Sequence, residues 1–179
     1  MSKTRISIKK LEKIVIIDFG SQFTQLIARK IRELGVYSEI INYNKVKNLK
    51  KNNFIKGFIL SGGPLTTTDK NAINLDNFIV HLNKPILGIC YGHQILAKKF
   101  GGKVKISKNR EFGLSIVKSK AKSPIIKNFF KKKTTRVWMS HQDVVYKIPK
   151  GFKQIASSEN SKFAIISNEK KRYFGIQFH

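Results

Sequence analysis

The chain has 179 residues, a length that fits one domain. Because 41% of the residues are hydrophobic, the chain can bury a core and does not have the composition of a disordered protein. Its formal net charge is +26, from 30 lysines and 6 arginines against 10 acidic residues. A single cysteine excludes an internal disulfide and favours a reducing, cytoplasmic location.

A positive charge of this size could attract nucleic acid, an anionic membrane or a nucleotide. Lysine, isoleucine and asparagine are all abundant and have AT-rich codons, so genomic base composition could produce the charge without selection for binding. The basic runs at residues 45–51 and 131–133 are typical of solvated surfaces, and we do not expect nucleic-acid binding. Apolar runs such as residues 14–17 and 85–90 are too short to span a bilayer, and we expect neither membrane contact nor a signal peptide.

In chain order, strands and helices alternate up to residue 102. Short apolar runs that end near glycine predict buried strands, and apolar residues at helical spacing before a glycine predict helices. The predicted strands cover residues 13–19, 37–43, 56–60 and 85–89, and the predicted helices cover residues 22–34, 72–82 and 92–100. This alternation predicts parallel βαβ units with helices on both faces of the sheet.

After residue 102 the pattern changes to short β-like runs, at residues 104–106, 113–118, 136–139, 144–146, 152–156, 163–167 and 173–178. They predict strands and hairpins that extend the sheet or pack beside it. The predicted fold class is therefore α/β, with a mostly parallel central sheet, helices on both faces and an added β-hairpin region. A basic lead-in covers residues 1–12, and the domain covers residues 13–179.

Residues 88–92, Gly-Ile-Cys-Tyr-Gly, lie where a buried strand turns into a helix. A nucleophile on so tight a turn has strained backbone angles, and only glycines two residues away avoid a collision with it. We expect the positive end of the helix to lower the pKa of the Cys90 thiol. The backbone N–H of Tyr91 should face a developing oxyanion. A lone cysteine can also be an ordinary buried residue, but the two glycines favour a nucleophile.

The Ser-Gly-Gly-Pro sequence at residues 61–64 ends the strand before the elbow strand, so it should lie near Cys90 at the carboxyl ends of the sheet. Glycine lets the backbone approach a substrate closely, and Gly63 is the predicted second oxyanion donor. Pro-Leu-Thr follows at residues 64–66, unlike the ATP-pyrophosphatase loop, and no phosphate loop is present. A lone cysteine and four scattered histidines offer no zinc-ligand spacing, so we predict no metal site.

A thiol nucleophile needs a partner that takes and returns its proton, and histidine suits this role. His179 ends the last predicted strand, well after the cysteine in sequence. We therefore interpret His179 as the base, His141 as a structural residue and His81 as a surface residue at a helix end.

These motifs together resemble the class I glutamine amidotransferases, and in particular the glutaminase domains of the GMP synthase family. Residues 88–94 and 177–179 resemble the class in general. Four more segments resemble GMP synthases specifically, namely residues 18–26, 109–113, 138–141 and 168–172. The resemblance extends from about residue 13 to residue 179.

The resemblance implies a Cys–His–Glu triad in which Cys90 is the nucleophile and His179 the base. It implies backbone oxyanion donors at Gly63 and Tyr91, and binding of the amino-acid end of glutamine by Gln94, Ser140, Gln142 and Asp143. The ammonia would pass to an ATP-pyrophosphatase module that aminates xanthosine monophosphate. ATP and magnesium belong to that partner module, and no cofactor is implied for this domain.

Two features depart from the family pattern. Gln142 occupies a position that is usually glycine, and the triad glutamate would follow His179 by two positions, beyond residue 179. We therefore expect the C-terminal end of the domain, and the pyrophosphatase and dimerisation domains, to lie outside this chain. In a serine triad, losing the orienting carboxylate costs ~10⁴ in rate.

Several alternatives stay open at this point. The chain could be part of a two-module enzyme or a free-standing glutaminase subunit. It could serve another amidotransferase, such as those of anthranilate, carbamoyl phosphate or CTP synthesis. Because the triad is incomplete, it could also be a non-catalytic binding or regulatory module.

Overall fold

The computed structural model describes residues 11–49, 53–69, 72–130 and 132–179. Most of the predicted lead-in at residues 1–12 and parts of both basic runs lie outside these residues. The described strands are β1 Lys13–Asp18, β2 Tyr37–Asn42, β3 Ile55–Leu60, β4 Ile86–Ile89, β5 Lys103–Ser119, β6 Thr134–Lys147, β7 Lys153–Ser157, β8 Ile165–Asn168 and β9 Tyr173–Ile176. The helices are α1 Thr24–Glu33, α2 Asn77–His81 and α3 Tyr91–Lys99, with 3₁₀ turns at Tyr43–Asn48 and Pro124–Ile126.

All nine of these strands form one mixed sheet in the order β2-β1-β3-β4-β9-β8-β7-β5-β6. The first five strands in that order are parallel, and the remaining pairings are antiparallel. The carboxyl ends of β1, β3, β4 and β9 consequently meet at one edge of the sheet, which is where parallel sheets usually bind ligands. The α/β class is confirmed, and the predicted β-rich region extends the sheet.

Helices cover both faces of the sheet, as predicted. Val15 and Ile17 of β1 share one apolar cluster with Ile79 of α2 and with residues of α3. Ser38 of β2 pairs with Ile14, so its side chain lies on the opposite face, and there its hydroxyl donates to the α1 carbonyl of Ala28 at 3.0 Å. Helix α1 therefore packs on the face opposite to α2 and α3.

The prediction of a helix over residues 72–82 was wrong in its first half. Helix α2 covers only Asn77–His81, because the Asp76 side chain accepts a hydrogen bond from the Phe78 N–H at 2.8 Å and caps the helix there. The preceding residues are not helical, and Leu75 is buried in the core.

The predicted short strands after residue 102 merge into a long ribbon. Residues 104–106 and 113–118 both lie in β5, and β5 pairs along most of its length with β6. Leu114 lies opposite Trp138, and the two side chains are 63% and 58% exposed. Phe112 lies on the same face and is 66% exposed, so the ribbon exposes an apolar surface to solvent. In the part of the chain that the structure describes, no helix is long and apolar enough to cross a membrane.

Candidate active site

Cys90 lies at a sharp turn between β4 and α3, with φ 52° and ψ −106°. Few non-glycine residues adopt a positive φ, so the turn is held by its surroundings. The Cys90 N–H donates to the carbonyl of Ile176 on β9 at 2.8 Å. A β-carbon on Gly88 would lie 2.5 Å from the Gly92 carbonyl oxygen, so the tight turn requires Gly88, and a β-carbon on Gly92 would lie 2.2 Å from the Leu60 carbonyl oxygen of β3.

Two cavities of about 270 Å³ each adjoin Cys90. We call them the Asp143 cavity and the His179 cavity. Cys90, Gly63 and Ser140 line both cavities. The Asp143 cavity brings together all the residues predicted to bind glutamine or its oxyanion, namely Gly63, Tyr91, Gln94, Ser140, Gln142 and Asp143.

Burial raises the pKa of the Cys90 thiol to about 11, despite hydrogen bonds from the Tyr91 N–H and the Gln177 amide that lower it. The helix end does lower this pKa through the Tyr91 N–H, as predicted, but the expected net lowering was wrong because desolvation of the thiolate dominates. The thiol donates to the Ser140 carbonyl at 3.8 Å, and the Gln177 side chain donates to the sulfur at 3.7 Å. The thiol is protonated at neutral pH and needs a base.

His179 lies across the Gly62 backbone from Cys90. A β-carbon on Gly62 would lie 3.1 Å from Cε1 of His179 and 3.7 Å from Cβ of Cys90, so the two side chains flank this one position. The backbone N–H of His179 donates to the Trp138 carbonyl at 3.0 Å, and the His179 imidazole packs against the Phe23 ring with the ring centroids 5.0 Å apart. Burial, and after it the charge of His141, lowers the pKa of His179, so its imidazole is neutral at pH 7 and can accept a proton.

The loop that carries Gly63 is fixed by backbone contacts. A β-carbon on Gly63 would lie 2.5 Å from the Phe19 carbonyl oxygen, so only glycine fits at this position. The Ser61 hydroxyl accepts from the Phe19 N–H at 3.0 Å and donates to the Gly62 carbonyl at 2.7 Å. This loop therefore holds the Gly63 backbone beside Cys90, and the Tyr91 N–H points to the same sulfur.

Asp143 is the buried acidic residue of its cavity. One carboxylate oxygen, Oδ2, accepts from the Thr66 hydroxyl and from the Thr67 N–H. The other, Oδ1, is buried without a hydrogen-bond partner among the described residues. The Gln94 amide donates to the Asp143 backbone carbonyl at 2.9 Å, so Gln94 supports Asp143 from α3. The unsatisfied oxygen could accept a hydrogen bond from a cationic ligand group.

A buried hydrogen-bonded pair of His141 and Glu111 lies next to these cavities and was not predicted. His141 Nε2 lies 3.0 Å from Glu111 Oε2, and the side chains are 1% and 5% exposed. Ser158 and Ser115 donate to the same carboxylate at 2.9 and 3.1 Å. From the sequence, His141 is interpreted as structural and Glu111 has no role, although Glu111 lies in the segment 109–113 that carries the resemblance. Gln177, in the segment 177–179, was missed in the same way.

Among the described residues, no group of three or more His, Cys, Asp or Glu side chains could hold a metal ion. His81, at the end of α2, is exposed.

Residues 15–179 match the family model described as glutamine amidotransferase class-I. The glutamine-hydrolysing GMP synthases of Campylobacter lari and Aliivibrio fischeri are 45% and 42% identical to the chain. The alignments cover 95% and 94% of this chain but only 33% and 32% of those proteins. The chain thus spans about a third of the length of these curated relatives.

Solved structures show the same fold. A Thermoplasma acidophilum protein, provisionally assigned as one subunit of a GMP synthase, matches with a TM-score of 0.77 and 29% identity, over 94% of this chain and 84% of that one. A glutamine amidotransferase from Thermotoga maritima matches with a TM-score of 0.72 and 21% identity, over 93% of this chain and 75% of that one.

Proposed function

The chain belongs to the class-I glutamine amidotransferase family, and from this premise we propose that it hydrolyses glutamine to glutamate and ammonia through a thioester on Cys90. The observation that carries the proposal is the strained turn at Cys90, which places the thiol between two cavities. One cavity is lined by Asp143, whose Oδ1 is buried without a partner among the described residues, and the other is lined by His179, whose imidazole is neutral at pH 7.

In the first step His179 takes the thiol proton while the sulfur of Cys90 attacks the side-chain carbonyl carbon of glutamine. The carbonyl oxygen becomes negative, and the backbone N–H groups of Tyr91 and Gly63, which line the same cavity, would stabilise it. Because the thiol pKa is high, proton transfer and attack should be coupled, so no thiolate accumulates in the free enzyme.

In the second step the carbon–nitrogen bond breaks, and the imidazolium of His179 gives its proton to the leaving nitrogen. Ammonia departs and a thioester remains on Cys90. His179 then takes a proton from water, the hydroxide adds to the thioester carbon, and the carbon–sulfur bond breaks. The sulfur leaves as the thiolate and regains its proton from His179, which releases glutamate.

The amino-acid end of glutamine fits the Asp143 cavity. Its ammonium group would donate to Oδ1 of Asp143, the buried oxygen that has no partner among the described residues. A charge-assisted bond to a buried carboxylate is stronger than a neutral one and gives the site its specificity for an amino acid. Ser140 and Gln142, on the wall of the same cavity, would contact the carboxylate end.

We propose that the ammonia aminates xanthosine monophosphate on an ATP-pyrophosphatase module, which would bind ATP and magnesium. The 45% identity to a glutamine-hydrolysing GMP synthase supports this acceptor above those of other amidotransferases. The module would follow in the same chain, as the greater length of the relatives suggests, or act as a separate cytoplasmic protein. By resemblance, the carboxylate that orients the imidazole would follow His179 by two positions.

Glutaminase activity tests the proposal directly. We expect a chain extended by Pro-Glu-Val to release ammonia from glutamine faster than the 179-residue chain, and Cys90→Ala to abolish release in both. The glutamine mimic 6-diazo-5-oxo-norleucine should label Cys90, as peptide mapping would show. A folded extended chain that released ammonia equally well with Cys90→Ala would contradict the mechanism, and one that was neither active nor labelled would indicate a non-catalytic module.

A further inference from the structure

Gln177 is a buried residue that contacts the reacting sulfur and has no part in the mechanism described above. It directly follows β9, and its side chain is fully buried. Its side-chain amide donates to the Cys90 sulfur at 3.7 Å, and its backbone N–H donates to the Ala164 carbonyl at 2.8 Å. Burying an amide is costly unless its hydrogen bonds are made, so the partners of this side chain define its role.

The neighbouring Gln94 determines which end of the Gln177 amide faces the sulfur. The Gln94 amide donates to the Asp143 backbone carbonyl at 2.9 Å, and because a carbonyl only accepts, this end of Gln94 is its NH₂ group. The same nitrogen lies 3.5 Å from Oε1 of Gln177 and donates its second proton there. Since Oε1 faces Gln94, the NH₂ group of Gln177 faces Cys90.

Gln177 reaches the sulfur from the interior of the protein. Among the described residues that line the two cavities, Cys90 belongs to both cavities and Gln177 to neither. The thiol donates to the carbonyl of Ser140, which lies on the wall that the two cavities share. The sulfur therefore donates on its cavity side and accepts on its interior side. These two hydrogen bonds together set the direction in which the sulfur faces a substrate.

A donor at this point also acts on charge. Burial raises the pKa of the Cys90 thiol to about 11, and the Tyr91 N–H and then the Gln177 amide act against burial. An amide donates without adding a charge and without giving up its proton, so it stabilises a negative sulfur and cannot protonate it.

We propose that Gln177 is a further catalytic residue of the Cys90 site, whose N–H orients the sulfur and stabilises its negative charge when the thiol proton leaves and when the thioester breaks. Gln94 is a positioning residue that acts through Gln177. The proposal rests on the proposed function, because that function makes Cys90 the nucleophile. Its test uses a reaction of the sulfur that needs no glutamine, so the two can fail separately.

Alkylation of the thiol by iodoacetamide measures the effect. The chain has one cysteine, so the mass gained by the 179-residue chain at about pH 8.5 reports on Cys90, as peptide mapping would check. Gln177→Met keeps the length of the side chain and removes the donor. We expect the thiolate fraction to fall about tenfold. A less stabilised thiolate is about threefold more nucleophilic, so alkylation should be about threefold slower.

Gln154→Met on β7 is the matched control, because it makes the same change at a glutamine whose amide bonds to the Lys162 carbonyl. It should leave the alkylation rate unchanged. Every variant keeps the titratable groups that line the two cavities beside Cys90, namely Tyr91, His141, Asp143 and His179. A folded Gln177→Met chain that reacts as fast as the control would overturn the proposal.

Gln94→Met tests the link between the two amides. It removes the donor that orients Gln177 and should slow alkylation by less than Gln177→Met does. In the double variant it should add nothing, because both substitutions act through one hydrogen bond to the sulfur. An equal further slowing in the double variant would overturn the positioning role of Gln94. If Gln177→Met does not fold, an unchanged alkylation rate in Gln94→Met would overturn the proposal.

Turnover gives a second readout in the chain extended by Pro-Glu-Val. Because Gln177 lines neither cavity, Gln177→Met should lower kcat about tenfold and change the KM for glutamine little. Slower alkylation in an extended chain without glutaminase activity would remove the proposed function and keep the role of Gln177 at the sulfur. An active chain in which neither alkylation nor kcat responds to Gln177→Met would keep the function and overturn the role of Gln177.

Discussion

Gly92 lies so close to Leu60 that a β-carbon on residue 92 would be 2.2 Å from the Leu60 carbonyl oxygen. The Gly92 N–H also donates to the Ser61 carbonyl at 3.0 Å. Strand β3 and helix α3 are therefore in direct backbone contact. This contact sets the distance between the loop that carries Gly63 and the turn that carries Cys90.

Gly92→Ala should destabilise the protein, because the added methyl group meets backbone atoms that cannot rotate away. We expect a loss of about 3 kcal/mol in the free energy of unfolding, measured by denaturant titration. Gly113→Ala is the control, since Gly113 has φ 93° but nothing within 4 Å of its β-carbon position. It should lose about 1 kcal/mol from backbone strain alone. Equal losses in the two variants would argue against the close contact.

Gly62→Ala should impair catalysis more than stability. Its methyl group would lie 3.1 Å from Cε1 of His179, in a side chain that can shift, and 3.7 Å from Cβ of Cys90, which is an ordinary contact. We expect glutaminase activity in the extended chain to fall about a hundredfold, because small misplacements of reacting groups have large kinetic effects. The free energy of unfolding should change by less than about 1 kcal/mol. Full activity would show that these two side chains do not act together.

Asp143→Asn should weaken glutamine binding. The substitution removes the charge of the buried oxygen Oδ1 but keeps an acceptor of similar shape. Loss of one charge-assisted bond predicts a KM for glutamine about tenfold to a hundredfold higher, with a smaller change in kcat. Thr66→Val removes a hydrogen bond to Oδ2 and should raise KM less. An unaltered KM in Asp143→Asn would show that the ammonium group binds elsewhere.

The raised pKa of Cys90 predicts a loss of stability at alkaline pH. Below about pH 9 the thiol is protonated in both the folded and the unfolded chain and contributes nothing to the pH dependence. Above that pH the unfolded thiol ionises first, since burial raises the folded pKa from 9.0 to about 11. Between about pH 8 and pH 11 the native chain should lose about 2 kcal/mol more than Cys90→Ala. Parallel pH profiles for the two chains would indicate an exposed thiol.

Much of the site could be predicted from the sequence because its geometry depends on local backbone shape. Gly88 is required by its contact with the Gly92 carbonyl within the turn, so the glycine spacing around Cys90 indicates the turn, although Gly92 itself is required by the distant Leu60. The strand-helix alternation then places Gly63 at the same sheet edge as Cys90, and in the structure Gly63 and Cys90 line one cavity.

The features that were missed depend on contacts between distant segments. The Glu111–His141 pair joins residues 30 positions apart, and Thr66 meets Asp143 across 77 positions. Neither contact has a local periodic signal. The predicted direction of the net pKa shift of Cys90 was wrong, because a sequence shows the nearby helix end but not the degree of burial. Helix α2 was overextended because Leu75 continues the apolar pattern into a non-helical segment.

The exposed apolar face of the ribbon favours association between copies of the chain, and the net charge opposes it. Phe112, Leu114 and Trp138 are exposed side by side, and β6 is one of the two edge strands of the described sheet, so two copies of the chain could pair there. The charge of +26 opposes this by mutual repulsion, which salt screens within about 10 Å at 0.1 M. We therefore expect the chain to stay monomeric at low ionic strength and to associate as salt is added, as sedimentation velocity would show.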